Sequence, residues 1–304
     1  MIEAVGLGKS FGARRAVNDL SFTVHPGSVT GFLGPNGAGK STAMRLMLEL
    51  DHGDGRTTFD GRTFGQLKRP MGHVGALLEA KPFHPTRTAR NHLRMIAAPN
   101  RIGDDRVDAV LDMVGLASVA RHKPRTFSLG MGQRLGLAAA LLGDPDVLIL
   151  DEPSNGLDPA GITWLRELLK QLASEGRAVL VSSHLLQEMA VLADELVVIG
   201  QGVMLANGPV DDFINASGLR AVRLRTPDAG LLVPALESLG ATVRADGDEL
   251  VVAELSAEQI GDAALAAGAR VHQLTTQRAT LEEAFLEATG LTEEFSAARG
   301  GGTP

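Results

Sequence analysis

The chain has 304 residues and no cysteine; 44% of its residues are hydrophobic and 21% are charged. That is the composition of a folded protein, so disorder over most of the length is excluded, as are a disulfide scaffold, a thiol nucleophile and a thiolate zinc site. With 29 basic against 36 acidic side chains the net charge is −7, which argues against general nucleic-acid binding, because that affinity comes from neutralising phosphates. The eight histidines are scattered, and none falls at a metal-ligand spacing. No apolar run approaches the roughly 18 residues needed to cross a bilayer. The segment Met1–Gly12 lacks the basic-then-apolar pattern of a secretory signal. The expectation is a cytosolic chain that spans nothing itself.

Residues 1–215 alternate strand-like and helix-like segments. Strands are expected at Ile2–Leu7, Leu20–Val24, Ser28–Leu33, Val147–Leu150, Ala178–Ser182 and Glu195–Ile199. Several are apolar runs without polar alternation, as in parallel strands covered on both faces. Helices are expected at Lys40–Leu48, Gln133–Leu142, Pro159–Ser174 and Leu185–Ala193. This alternation predicts an α/β layered core.

Between the strand Val29–Leu33 and the first helix lies Gly34-Pro35-Asn36-Gly37-Ala38-Gly39-Lys40-Ser41-Thr42. The pattern G-x-x-x-x-G-K-S in a strand–loop–helix context is a phosphate-binding loop. Backbone N–H groups at a helix N-terminus surround a polyphosphate, and the glycines allow its close approach. Lys40 would reach the β and γ phosphates of ATP, and Ser41 would ligate Mg²⁺.

Residues 81–127 lose the strand signal. Thr86–Ala97, Asp104–Val114 and Ala117–His122 read as helices punctuated by prolines, which predicts a helical insertion. The apolar strand Val147–Leu150 then ends in Asp151 and Glu152. A strand lying beside the phosphate-loop strand would bring Asp151 to the metal, and Glu152 could polarise an attacking water. The two motifs together favour a magnesium-dependent ATPase over a dinucleotide-dependent dehydrogenase, whose G-x-G-x-x-G is absent after the first strand.

From Ser217 the texture changes. Strands at Ala221–Arg225, Thr242–Ala245, Glu249–Ala253 and Arg270–Leu274, with helices at Asp228–Leu239 and Ala257–Ala267, give the order β-α-β-β-α-β of a ferredoxin-like unit over 217–290. A last helix is expected at Leu281–Thr289. The segment 291–304, glycine-rich from Arg299 to Pro304, is expected to be a disordered tail.

Residues 1–215 resemble the ATPase subunit of ATP-binding cassette (ABC) transporters. Phe11 sits where that family has an aromatic that stacks on adenine; a core phenylalanine is the competing reading. Phe127-Ser128-Leu129-Gly130-Met131 stands at the signature motif, Ser154-Asn155-Gly156-Leu157-Asp158 at the D-loop, and His184 at the switch histidine. The Q-loop glutamine is replaced by Glu79, and Leu129 and Met131 replace a glycine and a glutamine. These departures look like those of the exporter subgroup that confers resistance to bacitracin, lantibiotics and related antibiotics.

The resemblance implies a P-loop NTPase fold with an accessory C-terminal domain. It implies ATP and Mg²⁺ as cofactors, with Ser41, Asp151 and Glu79 on the metal side. Glu152, His184 and Lys40 would act in hydrolysis. It also implies head-to-tail pairing of two such chains, a homodimer being expected, so that Ser128 and Gly130 of one chain cap the nucleotide of the other. A separate transmembrane permease would carry the substrate, with this chain on the cytoplasmic face. An importer ATPase is the nearest alternative, and Glu79 and Leu129 lean away from it. A ribosome- or DNA-acting ABC ATPase is another, against which stand the single cassette, the short insertion and the acidity.

Overall fold

In a computed structural model of the protein, residues 1–78, 83–84, 86–216 and 220–290 are described. Glu79 and the tail 291–304 lie outside them. The chain divides into two compact units, Met1–Pro209 and Val210–Pro304. The helix Val210–Ala216 thus falls in the second unit, whereas the sequence reading kept residues up to 215 with the first.

The first unit holds two sheets. Strands β1 (Ile2–Phe11) and β2 (Arg14–Val24) are followed by β3 (Val29–Leu33), helix α1 (Lys40–Met47), β4 (Asp54–Phe59) and β5 (Val74–Leu77). Strands β1 and β2 form an antiparallel sheet with β4, in the order β2-β1-β4. They therefore form a layer apart from the main sheet. The pairing has a local reason: β1 turns into β2 through Gly12 and Ala13, with Gly12 at φ 59°, and so short a connection permits only antiparallel pairing.

The helical insertion contains α2 (Ala89–Ala97) and α3 (Asp104–Met113), joined by Arg90, whose Nε and Nη2 donate to Asp108 at 2.6 and 2.8 Å. The helix expected at Ala117–His122 is reduced to a single 3₁₀ turn at Ala117–Val119. The carbonyls of Ala120 and His122 instead accept from the N–H groups of Arg90 and Ala89, both at 2.9 Å. They satisfy the open first turn of α2, and Pro124 has no N–H with which to continue a helix onto the Ala120 carbonyl.

Helix α4 spans Leu129–Leu141 and starts four residues earlier than its sequence reading. Ser128 is its N-cap, and its side chain accepts from Met131 N at 3.2 Å. This cap outweighs the low helix propensity of Gly130 and Gly132.

Then follow β6 (Val147–Leu150), α5 (Pro159–Ser174), β7 (Ala178–Ser182), α6 (Leu186–Leu192), β8 (Glu195–Gly200) and β9 (Val203–Pro209). The main sheet has the order β5-β6-β7-β3-β8-β9, parallel except for β9. Every residue of β3, β6 and β7 is buried, as the unalternating runs demand. One core serves both sheets: Ile2, Leu20 and Phe22 pack in the same cluster as Phe32, Met44, Ile149 and Val197. The rings of Phe22 and Phe32 stack across it at 5.5 Å.

The second unit contains α7 (Val210–Ala216), β10 (Arg220–Arg225), α8 (Ala229–Ser238), β11 (Thr242–Asp246), β12 (Glu249–Ala253), α9 (Ala257–Ala267), β13 (Gln273–Arg278) and α10 (Leu281–Thr289). Its sheet is antiparallel in the order β11-β12-β10-β13, the arrangement of a ferredoxin-like unit. Val222, Leu224, Leu232, Leu236, Val252 and Ile260 form its core. The last strand of this sheet starts three residues later than the Arg270–Leu274 reading. Arg270 is instead committed to Asp228, donating from its backbone N, Nε and Nη2 at 2.9, 2.8 and 2.8 Å. These bonds hold the Asp228 carboxyl well below the usual carboxylate range.

Candidate functional site

The loop after β3 wraps back on itself so that the first turn of α1 is open. Gly39 is the N-cap of α1, at φ 107° and with no side-chain cap. A Cβ there would strike the Ala16 carbonyl, and one at Gly34 would lie 2.5 Å from the Ile199 carbonyl. Glycine is therefore required at both positions. The unpaired N–H groups of that first turn face a cleft of about 390 Å³.

The cleft is lined by Phe11, Arg14, Ala16, Asn36, Gly37, Gly39, Lys40, Ser41, Thr42, Asp151 and Glu152. Lys40 is 7% exposed, and its Nζ donates to the carbonyls of Gly34 at 2.6 Å and Pro35 at 3.3 Å. Burial lowers its pKa, opposed by the charges of Glu152 and Asp151. An anion entering the cleft would meet a partly desolvated ammonium, where Coulombic attraction is stronger than in bulk water. Gly34, Pro35 and Ala38 form the loop's rear: Ala38 is buried, and its N–H donates to Pro35 O at 3.1 Å. Phe11 is 55% exposed, which removes the reading of it as a core residue. Its ring has Lys9 Nζ 5.2 Å from the centroid, leaving an aromatic face available to a planar base.

One expectation about the carboxylates needs correction. Strand β6 does not lie beside β3, because β7 stands between them. Asp151 and Glu152 nevertheless reach the cleft, and the intervening strand supplies the part that fixes them. Ser182, fully buried at the end of β7, donates its hydroxyl to Asp151 Oδ1 at 2.5 Å and accepts from Glu152 N at 2.9 Å. Glu152 has φ 50°, a left-handed conformation uncommon for a side-chain-bearing residue and one found at functional sites. Its Oε2 lies 2.6 Å from Nδ1 of His184. An ionised carboxylate only accepts, so Nδ1 carries the proton in that pair.

Ser182→Ala is expected to destabilise the fold by about 1–3 kcal/mol, since the Glu152 N–H would lose its acceptor and Asp151 Oδ1 its donor in a part-buried position. Urea unfolding measures this; unchanged stability would show that the hydroxyl bridge is dispensable.

Ser128 and Gly130 do not line this cleft. They lie at the open N-terminus of α4, where helix geometry leaves the N–H groups of Leu129 and Gly130 without intrahelical acceptors. Glu79, proposed for the metal, lies outside the described residues. Sequence reasoning missed Arg14, Ala16 and Ser182. Arg14 pairs with Phe11 across the β1–β2 turn, and its Nη2 is 3.4 Å from Gly37 O. The one available signal for Ser182 was a hydroxyl ending an otherwise apolar strand.

The oxygen donors Ser41 and Asp151, on one cleft with room for phosphates, suit a hard cation such as Mg²⁺. Among the described residues no cluster of three or more His, Asp or Glu side chains could hold a metal. Such an ion would therefore take its remaining ligands from nucleotide and water.

Comparisons with known proteins agree with this geometry. A family model described as ABC transporter matches residues 17–155, and one described as a domain of unknown function matches residues 220–282. The chain is 35% identical to the uncharacterized ABC transporter ATP-binding protein YhcH of Bacillus subtilis (strain 168), over 97% of each chain. It is 39% identical to the bacitracin transport ATP-binding protein BcrA of Bacillus licheniformis, over 69% of this chain and 70% of that one. Among solved structures, an ATP-binding subunit of an ABC transporter superposes with a TM-score of 0.66 at 27% identity, covering 72% of this chain and 93% of its own.

Proposed function

Given that this chain belongs to the family of ABC transporter ATP-binding proteins, we propose that it is the ATP-hydrolysing subunit of an export system that moves a substrate, antibiotics included, through a separate permease. The observation that carries the reading is the meeting of Lys40, Ser41, Asp151 and Glu152 in one cleft, with His184 bonded to Glu152. The similarity to a bacitracin transport protein supports the substrate class.

In this reading ATP stacks its base on Phe11 and lays its phosphates along Asn36–Thr42. Lys40 swings from the loop carbonyls to the β and γ phosphates. Ser41 and Asp151 would hold Mg²⁺, which would neutralise phosphate charge. Glu152 polarises the attacking water, and His184 keeps the carboxylate aimed and contacts the γ-phosphate. Ser128 and Gly130 are displayed away from the chain's own cleft. They serve the nucleotide of a second copy, where a helix N-terminus and a hydroxyl cap the charge that one loop leaves exposed. ATP then favours the closed pair, and hydrolysis releases it.

An apolar groove lined by Leu48, Leu50, Phe64, Val74, Leu77 and Leu78 supports docking of a permease segment. No helix among the described residues is long and apolar enough to cross a membrane. The chain would work on the cytoplasmic face of the membrane.

The purified full chain is expected to release phosphate from ATP when Mg²⁺ is present, and to double its mass in light scattering when ATP is added without turnover. A chain that neither retains nor cleaves ATP would overturn the proposal. Co-expression with a candidate permease should lower cellular accumulation of bacitracin; raised accumulation would reverse the direction of transport.

A further inference from the structure

Resting on the ATPase reading above, we propose that Gln133 is a positioning residue: it anchors the backbone of Glu152 and so couples the helix that carries Ser128 and Gly130 to the carboxylate of the same chain. Gln133 lies on the second turn of α4 and is 3% exposed. Its Nε2 donates to the main-chain carbonyl of Glu152 at 3.1 Å. A carbonyl can only accept, so the orientation of the amide is fixed. Its Oε1 is then buried with no partner among the described residues. A buried orphan acceptor is unfavourable, and a methionine or leucine would avoid it. The position therefore carries a polar side chain at a cost in stability, in return for one bond to Glu152.

That bond matters because of how Glu152 is held. The residue sits at φ 50°, a conformation a glutamate leaves unless it is tied down. Its N–H is tied to Ser182 from β7, its carbonyl to Gln133 from α4, and its carboxylate to His184. With the Gln133 bond removed, the Glu152 carbonyl keeps only the local bond from the Asn155 N–H at 3.2 Å, so the tie to α4 is lost and the carboxylate is aimed less firmly. Helix α4 touches the same loop a second time. Leu129 packs on Gly156, where any Cβ would collide with the leucine side chain, and a Cβ on Gly130 would lie 2.8 Å from the Gly156 carbonyl. Both turns of α4 thus press on the segment Glu152–Leu157. In a head-to-tail pair, Ser128 and Gly130 seat on the partner's nucleotide, and a movement of α4 there is felt at this chain's own Glu152.

The experiment compares the full chain with Gln133→Met and Gln133→Leu, two variants of similar volume without the donor. The expected result is a fall in kcat of about tenfold to 100-fold, with KM for ATP within about twofold and a thermal midpoint equal to or above the wild type. A merely structural glutamine would instead lower the midpoint, and that result, with turnover falling in step, overturns the inference. Equal turnover in active wild type and both variants overturns it too, leaving the ATPase reading intact. A wild-type chain without turnover overturns the ATPase reading and this inference with it.

Discussion

Glu152→Gln is expected to lower ATP turnover by about 100-fold or more while ATP stays bound. The substitution changes one oxygen to an amide and leaves the surroundings in place. The N–H of residue 152 keeps Ser182 as acceptor, its carbonyl keeps Gln133 as donor, and the new side chain still reaches His184. What disappears is the charge that polarises water. None of the groups that hold phosphate is touched, since Lys40, Ser41 and Asn36–Gly37 belong to another segment. The variant should therefore accumulate as an ATP-bound pair, seen as doubled mass in light scattering and as retained nucleotide after gel filtration. Normal turnover would remove Glu152 from its assigned role.

Lys40→Met is expected to act at the earlier step and abolish binding. An ammonium donating to two phosphate oxygens makes charge-assisted bonds worth about 1.5–3 kcal/mol each, so affinity should fall at least about 100-fold. Burial already lowers the Lys40 pKa, which means that the empty fold bears a desolvation penalty for this charge. The uncharged variant should therefore unfold within a few degrees of the wild type when no nucleotide is present. The difference appears on adding ATP. At 100 times its Kd, nucleotide stabilises the wild type by about 2.7 kcal/mol, and the variant should gain almost nothing. Differential scanning fluorimetry reads both quantities. An undiminished ATP-induced shift would contradict the role given to the loop.

Both variants fall on residues that were legible in the sequence. The phosphate loop was legible because its chemistry is contiguous: a strand, a glycine turn and a helix N-terminus lie within Val29–Met47. The paired carboxylates were legible for a similar reason, as an apolar strand ending in two acids. The ferredoxin-like order of the second unit followed from element type alone, and its antiparallel sheet closes in the expected way. Boundaries were weaker. The strand expected to start at Arg270 gave way to a salt bridge with Asp228, 42 positions away in sequence, which no local pattern announces. The turn at Ala117–Val119 is not continued: Pro124 offers no N–H to the Ala120 carbonyl, which accepts from Arg90 of α2 instead.

By itself the sequence determined which residues could handle a phosphate and which could activate water, because each set is local and chemically distinctive. Only the tertiary structure decided how they are held. It inserted β7 between the strands of the two motifs, and Ser182 at the end of β7 holds Asp151 and the backbone of Glu152. It brought Arg14 to the loop across a hairpin and Gln133 under Glu152 from a separate helix. It also left Ser128 and Gly130 out of the lining of their own chain's cleft. The physical reason is that a hydrogen bond between distant segments depends on strand order and helix packing, and those are fixed by the shared core of Phe22, Phe32, Met44 and Ile149 rather than by any stretch of neighbouring residues.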